Sequence, residues 1–165
     1  MSDEARDDTN QYLTFTLDSE LYAVAVHSVK EVLEYTEVTK VPRTLDFMKG
    51  VINLRGSVVP VVDLRTKFGM PEVEKTIATS IIVMEVSIAG DAVVLGMIAD
   101  SVQEVINLDP HDIEPAPKIG AKVDTQFIEG IGKQDDRFII VLAIDKVFSE
   151  AELAEVAGDQ KGAVS

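Results

Sequence analysis

The segment Ser28-Val29-Lys30-Glu31-Val32 returns 73 residues later as Ser101-Val102-Gln103-Glu104-Val105. Phe47-Met48-Lys49-Gly50-Val51 returns 80 residues later as Phe127-Ile128-Glu129-Gly130-Ile131. Val62-Asp63 before Phe68 matches Ile144-Asp145 before Phe148. The seven additional residues of the second copy fall in the proline-containing stretch 109–124. A pattern this long, present only twice, is not a solenoid. It predicts two related lobes within 165 residues.

The lobes read as a first unit over 11–74 and a second over 75–149. Residues 150–157 form a C-terminal helix, with a flexible acidic tail at 1–10 and a flexible tail at 158–165. In each lobe a hairpin comes first. Leu13, Phe15 and Leu17 alternate with Tyr12, Thr14 and Thr16, the period of a half-buried strand. Residues 21–26 return after Asp18-Ser19-Glu20. Residues 80–88 and 92–98 repeat the arrangement around Ala89-Gly90-Asp91, a turn suited to positive φ.

Ser28/Glu31 and Ser101/Glu104 are both S-x-x-E capping boxes, which predict a short helix after each hairpin. Ser149/Glu152 is a third and opens the C-terminal helix. Thr39 and Val41 before Pro42, and Ile113 before Pro115, read as short edge strands. A further hairpin closes each lobe. The first runs over 51–54 and 58–62 around Arg55-Gly56-Ser57, with Pro60 demanding an edge or a bulge. The second turns at Gln134-Asp135-Asp136 and returns over 137–144. About five short strands per lobe favour an all-β chain of two small closed barrels, because closure removes exposed edges.

Composition excludes several functions. The chain has no cysteine, so disulfides and thiol chemistry are absent. With no tryptophan, 5% aromatics and a net charge of −14, it is a poor partner for nucleic acid. Residues 1–10 lack the basic and apolar regions of a signal peptide, and no apolar run approaches the roughly 20 residues of a membrane helix. The expected location is the cytoplasm. The charge is uneven: residues 11–74 hold 7 basic and 9 acidic groups, and residues 75–149 hold 6 and 12.

Catalytic constellations are sparse. Asp63 and Asp145 occupy matching positions, as in two-lobed aspartate-dependent hydrolases, yet neither lies in an Asp-Thr/Ser-Gly turn. An Asp between a strand and a short helix is better read as an N-cap. His27 and His111 fall in different lobes; His111 lies in Asp109-Pro110-His111-Asp112, a weak metal site at best, because no second nitrogen or sulfur ligand is nearby and a solvated loop is the better reading. Gly130-Ile131-Gly132 is no phosphate loop and suits a close backbone approach.

What stands out is the run 50–65, GVINLRGSVVPVVDLR. N-L-R-G, an apolar strand containing proline, then D-L-R: this resembles the CheW family of chemotaxis coupling (adaptor) proteins. The resemblance spans residues 11–155, including Glu114-Pro115-Ala116-Pro117 and residues 127–132. It implies two five-stranded SH3-like β-barrels with pseudo-two-fold symmetry, short capped helices and a C-terminal helix. It also implies a non-catalytic scaffold without cofactor or metal. Its partners would be the cytoplasmic tips of chemoreceptors and the regulatory domain of the histidine kinase CheA, with recruitment to membrane-associated receptor arrays. An adaptor of the same family in a non-flagellar receptor pathway is the alternative.

By position, the resemblance implies a receptor-binding surface at Val26, Val29, Glu31, Gly50, Arg55 and Gly56. It implies kinase binding at Ser80, Ile81, Ile82 and Ile119. The family often carries an apolar residue where Ser80 stands and an aromatic near Ile119. Each residue also has a structural reading. Val29 could be core, Glu31 a capping-box partner and Arg55 a solvated turn residue, while Gly50 and Gly56 could serve backbone geometry alone. The functional reading of Arg55 is a planar guanidinium on a hairpin tip, able to fork to a partner's carboxylate or carbonyl oxygens.

Overall fold

The computed structural model describes residues 11–40, 45–88, 90–115, 125–134, 136–149 and 151–152. Eleven strands run in chain order among them. These are β1 (Gln11–Leu17), β2 (Glu20–Ala25), β3 (Val29–Glu34), β4 (Met48–Leu54), β5 (Ser57–Asp63) and β6 (Ser80–Ile88). They continue with β7 (Asp91–Ala99), β8 (Ser101–Asn107), β9 (Ile113–Glu114), β10 (Ile128–Gln134) and β11 (Arg137–Leu142). Two one-turn helices, α1 (Leu64–Lys67) and α2 (Ile144–Val147), follow β5 and β11.

The strands form two sheets. One has the order β3-β6-β7-β5-β4, the other β8-β1-β2-β11-β10-β9. The two orders correspond over five strands, and the sixth, β9, matches the isolated Thr39 bridge on β4. A hairpin (β6-β7 or β1-β2) lies between an edge strand (β3 or β8) and a second hairpin (β5-β4 or β11-β10). The joint between hairpins is parallel in both: Val61↔Gly96 in one sheet, Ile140↔Tyr22 in the other. The duplication is therefore real in three dimensions, and its partition is unexpected. The sheets do not divide at residue 74. The first hairpin of each copy joins the remaining strands of the other copy, so one sheet is built from residues 29–99 and the other from 11–25 and 101–142.

Burial explains the arrangement, because alternate residues of the hairpins face two different cores. Leu13, Phe15, Leu17, Tyr22 and Val24 of one sheet meet Ile82, Met84, Val86, Val93, Leu95 and Met97 of the other in one shared cluster. The opposite faces pack within their own sheets. Tyr12, Leu21, Ala23, Ile106, Ile139 and Val141 form one private cluster, and Ile52, Val59, Val61, Ile81, Val83 and Ile98 the other. Strands buried on both faces lose the clean alternation of a half-exposed sheet, which is why 80–88 and 92–98 read as near-continuous apolar runs.

Two expected helices are strands. Ser28 ends a single 3-10 turn (Val26–Ser28), and Glu31 lies in β3; Ser101 and Glu104 both lie in β8. The cap groups find cross-strand partners instead. Ser101 Oγ meets Thr16 Oγ1 at 2.7 Å, and the Glu104 backbone exchanges bonds with Thr14 Oγ1 at 2.7 and 3.0 Å. A neighbouring strand with an open edge outbids the local cap. At Ser149 nothing competes. The Ser149 amide donates to Glu152 Oε1 at 2.9 Å, and the Glu152 amide donates to Ser149 Oγ at 3.1 Å. Ala151 and Glu152 are helical, and the rest of the expected helix lies outside the described residues.

The short edge pairings are present as Thr39↔Val51 and Glu114↔Ile131. Pro60 does not lie on an edge strand, since β5 is flanked by β4 and β7. Its partner Val51 exchanges both main-chain bonds with Thr39, on the far side of β4. Pro60 thus faces a position where β4 requires no donor, and the pairing with β7 begins one residue later at Val61.

Candidate functional site

The motif around residue 55 folds as a self-contained hairpin tip. Leu54 pairs with Ser57, leaving Arg55 and Gly56 as a two-residue turn with φ of +52° and +87°. Two successive positive φ values match the right-handed twist of the flanking strands. Asn53 Oδ1 accepts the Gly56 amide at 2.8 Å and holds the turn closed. So in N-L-R-G the Asn fastens the turn, the Gly supplies its backbone, and the Arg is presented.

Arg55 does not project into water alone. Its Nη1 and Nη2 donate to Glu31 Oε2 and Oε1 at 2.6 and 2.8 Å, a two-bond fork from β3 to the β4–β5 tip. The Arg55 side chain remains 72% exposed against 25% for Glu31. The Arg55 hydrogen bond is the main reason the Glu31 carboxyl is held below its usual range, and the same bond raises the guanidinium. Glu31, read as a capping partner, is a clamp across two strands.

The other residues of this surface have mixed roles. Val26 and Val29 are half-buried and pack against the shared core, so both structural and contact readings describe them. Gly50 is buried with φ +148°, and a Cβ there would sit 2.0 Å from the Thr39 carbonyl oxygen. It is required by the backbone of the Thr39 bridge. Its counterpart Gly130 has no positive φ but is also crowded, since a Cβ would meet Ile113 Cγ2 and lie 2.8 Å from Glu114 O. Gly56 has open space around it.

The second expected surface changes more. Ile81 and Ile82 are fully buried, one in a private core and one in the shared core. β6 has strands on both sides and cores on both faces, so these side chains present no surface to a partner. Ser80 is half-buried, its hydroxyl donating to Ala78 O at 3.0 Å. Ile119 lies outside the described residues.

The D-L-R part of the motif is structural. Asp63 Oδ1 accepts the Arg65 amide at 2.9 Å and caps α1. Asp145 is not a cap: Ala143 occupies that position in α2, and Asp145 is exposed in the first turn. The two carboxylates are not arranged as a dyad sharing a proton. Arg65 is the residue whose role sequence reasoning missed. Its Nε and Nη2 fork onto Asp100 at 2.9 and 2.6 Å, Nη1 donates to Pro71 O at 2.8 Å, and Nη2 reaches Asp18 at 3.4 Å. Asp18 is on the β1–β2 turn and Asp100 is where the chain passes from one sheet to the other, so Arg65 pins the sheets together. A neighbouring cation does the same. Lys67 Nζ bonds Glu152 at 2.9 and 3.0 Å and lies 5.1–5.8 Å from the rings of Phe47, Phe127 and Phe148. An arginine two residues after the proline-containing strand β5 carried no signal of burial.

His111 is exposed beside Asp109, and among the described residues no group of three or more His, Cys, Asp or Glu side chains could hold a metal ion. No helix among them is long and apolar enough to cross a membrane.

Comparison with known proteins matches residues 11–152 to the CheW-like domain family. The chain is 38% identical over 146 residues to the chemotaxis protein CheW of Klebsiella aerogenes, covering 88% of this chain and 86% of that protein. It is 35% identical over 149 residues to CheW of Bacillus subtilis, covering 90% and 92%. Among solved structures it resembles the scaffolding protein TtCheW from Thermoanaerobacter tengcongensis. That match has a TM-score of 0.76 and 38% identity, covering 86% of this chain and 88% of that one.

Proposed function

The chain belongs to the CheW-like domain family, and from that premise we propose that it is a non-catalytic adaptor coupling chemoreceptor cytoplasmic tips to the regulatory domain of the histidine kinase CheA. It acts in the cytoplasm, at membrane-associated receptor arrays. The observation that carries the reading is the hairpin tip. A rigid two-residue turn holds a largely exposed guanidinium in a fixed orientation, with one face of its fork on Glu31 and the remainder toward solvent. Such a group recognises a partner's carboxylate or carbonyl oxygens with little loss of side-chain freedom on binding.

In this reading Val26, Val29, Glu31, Arg55 and Gly56 form the receptor-facing surface, and Gly50 supports it from beneath. Ser80 and Ile119 belong to the kinase-facing side. The shared core fixes the spacing between the two surfaces, so a change in the orientation of a bound receptor is transmitted to the kinase as a rigid displacement.

Calorimetric titration against a receptor-tip fragment and, separately, against the matching kinase regulatory domain tests this. Arg55→Ala should weaken receptor binding about tenfold or more and leave kinase binding unchanged. A folded wild-type sample that binds neither partner at high micromolar concentration overturns the assignment.

A further inference from the structure

The two copies differ where the edge strand of each sheet meets the tip of its closing hairpin. In the first copy the Arg55 fork onto Glu31 ties the β4–β5 tip to β3. In the second, Glu104 on β8 stands where Glu31 stands, and Gln134↔Arg137 closes the β10–β11 tip as Leu54↔Ser57 closes the other. The sequence has Asp135 in the place of Arg55, so the chemistry of the fork is not repeated. Between β8 and this tip lies a cleft of about 100 Å³, lined by Thr14, Leu21, Gln103, Glu104, Gln134 and Arg137.

The cleft has a fixed floor and two polar walls. Leu21 belongs to the private core of this sheet. Thr14 is buried, with its hydroxyl bonded to both main-chain groups of Glu104. Gln103 and Glu104 are exposed on the β8 side, and half-buried Gln134 and exposed Arg137 line the side of the tip. Gln103 Nε2 donates to Ser101 Oγ at 2.8 Å, which leaves Oε1 as its acceptor. Glu104 and Arg137 line one cleft, yet neither enters an ion pair among the described residues.

The walls therefore offer acceptors at Glu104 and Gln103 and donors at Arg137 and the Gln134 amide. A primary carboxamide has the matching complement, two N–H donors and a carbonyl with two lone pairs. A guanidinium only donates and leaves Arg137 unmatched, whereas a carboxylate only accepts and meets Glu104. Net charge favours neither: Glu104 and Arg137 cancel, and so do Asp136 and Lys133, both exposed on the same hairpin.

We propose that this cleft is an anchor site for an asparagine or glutamine side chain of a partner polypeptide. At about 100 Å³ it is smaller than the roughly 300–1,000 Å³ of small-molecule pockets and suits one side chain. β8 is the outermost strand of its sheet, with Val105 49% exposed. An extended segment laid along that edge turns one side chain into the cleft. The site is separate from Arg55 and does not depend on the adaptor reading.

Amide-resolved NMR of the full chain tests this, with N-acetylglutamine methylamide as the probe. The blocked glutamate and arginine analogues and free glutamine serve as comparisons. The expected result is saturable millimolar binding that shifts the amides of Gln103, Glu104, Gln134 and Arg137. Glu104→Ala and Arg137→Ala should each weaken it about fivefold or more. Both side chains are exposed, so these variants should melt with wild type. A glutamine probe that does not saturate overturns the site, and so does undiminished binding in both variants. Equal or tighter binding of the arginine or glutamate analogue overturns the carboxamide assignment. Tighter binding of free glutamine overturns the polypeptide partner, because it makes the cleft a small-molecule site.

Discussion

Arg65 keeps a full charge with only 7% of its side chain exposed, and Asp100 makes this tolerable by meeting it with two hydrogen bonds. Burial pushes the Asp100 carboxyl upward, but the bonds from Arg65 and from the Asp18 amide outweigh it and hold the group below the usual carboxylate range. A depressed folded-state value means that the bridge contributes stability above the unfolded value of about 3.9. That contribution is lost as pH falls through the folded value. Arg65→Ala should therefore destabilise the fold by roughly 2–3 kcal/mol at neutral pH. This is below the upper range for buried pairs, because Asp18 and Asp100 keep some contact with water. Urea midpoints at neutral pH measure the loss. The difference from wild type should stay level between about pH 7 and 5 and shrink below about pH 4. A difference that instead grows on acidification would assign the bridge the wrong sign.

Between strands, the informative element is the irregular pair β1–β8. Its register shifts between Leu13 and Phe15, and Thr14 sits at the break. The Thr14 hydroxyl accepts from the Glu104 amide and donates to the Glu104 carbonyl, replacing the ladder bonds that the irregularity removes. Thr14→Val keeps the shape and leaves both Glu104 groups without this partner, a cost of roughly 1–3 kcal/mol. Native-state hydrogen exchange should show the β8 amides opening first in this variant. Uniform protection across both sheets would count against it. This is also where the sequence misled. S-x-x-E at 101–104 is a fair helix start by local rules, and it lost to Thr14 and Thr16 across 85–90 residues of chain. The strand at Leu13, Phe15 and Leu17, the edge pairing at Ile113 and the turn at Gly56 were legible from residues close in sequence, but the half-buried reading of that strand was not correct, because Tyr12 and Thr14 on its other face are buried too.

For the whole molecule, the shared core decides how the two sheets behave. Phe15, Tyr22 and Val24 from one sheet and Ile82, Met84, Leu95 and Met97 from the other are all fully buried in one cluster. Neither sheet can lose this face without exposing large apolar area, at about 25 cal/mol per Å². Unfolding should be a single cooperative transition, with the most protected amides of β2 and β7 exchanging at the same free energy. Two separate plateaus, one per sheet, would show the sheets to be independent units.

The residues alone determined the duplication, the all-β class, the hairpin tip at Arg55 and the cap at Asp63. These follow from periodicity, turn stereochemistry and hydrogen bonds spanning a few residues. They also carried the family, through the order N-L-R-G, proline, D-L-R. Only the tertiary structure decided which hairpin joins which sheet, because the two first hairpins are equivalent by pattern and either could complete either sheet. It also decided that Glu31 clamps Arg55, that Arg65 is buried between sheets, and that Ile81 and Ile82 are core while Ile77 is surface. Local pattern reports whether a side chain is apolar or charged. Whether it ends in a core or at an interface depends on which distant strand covers it.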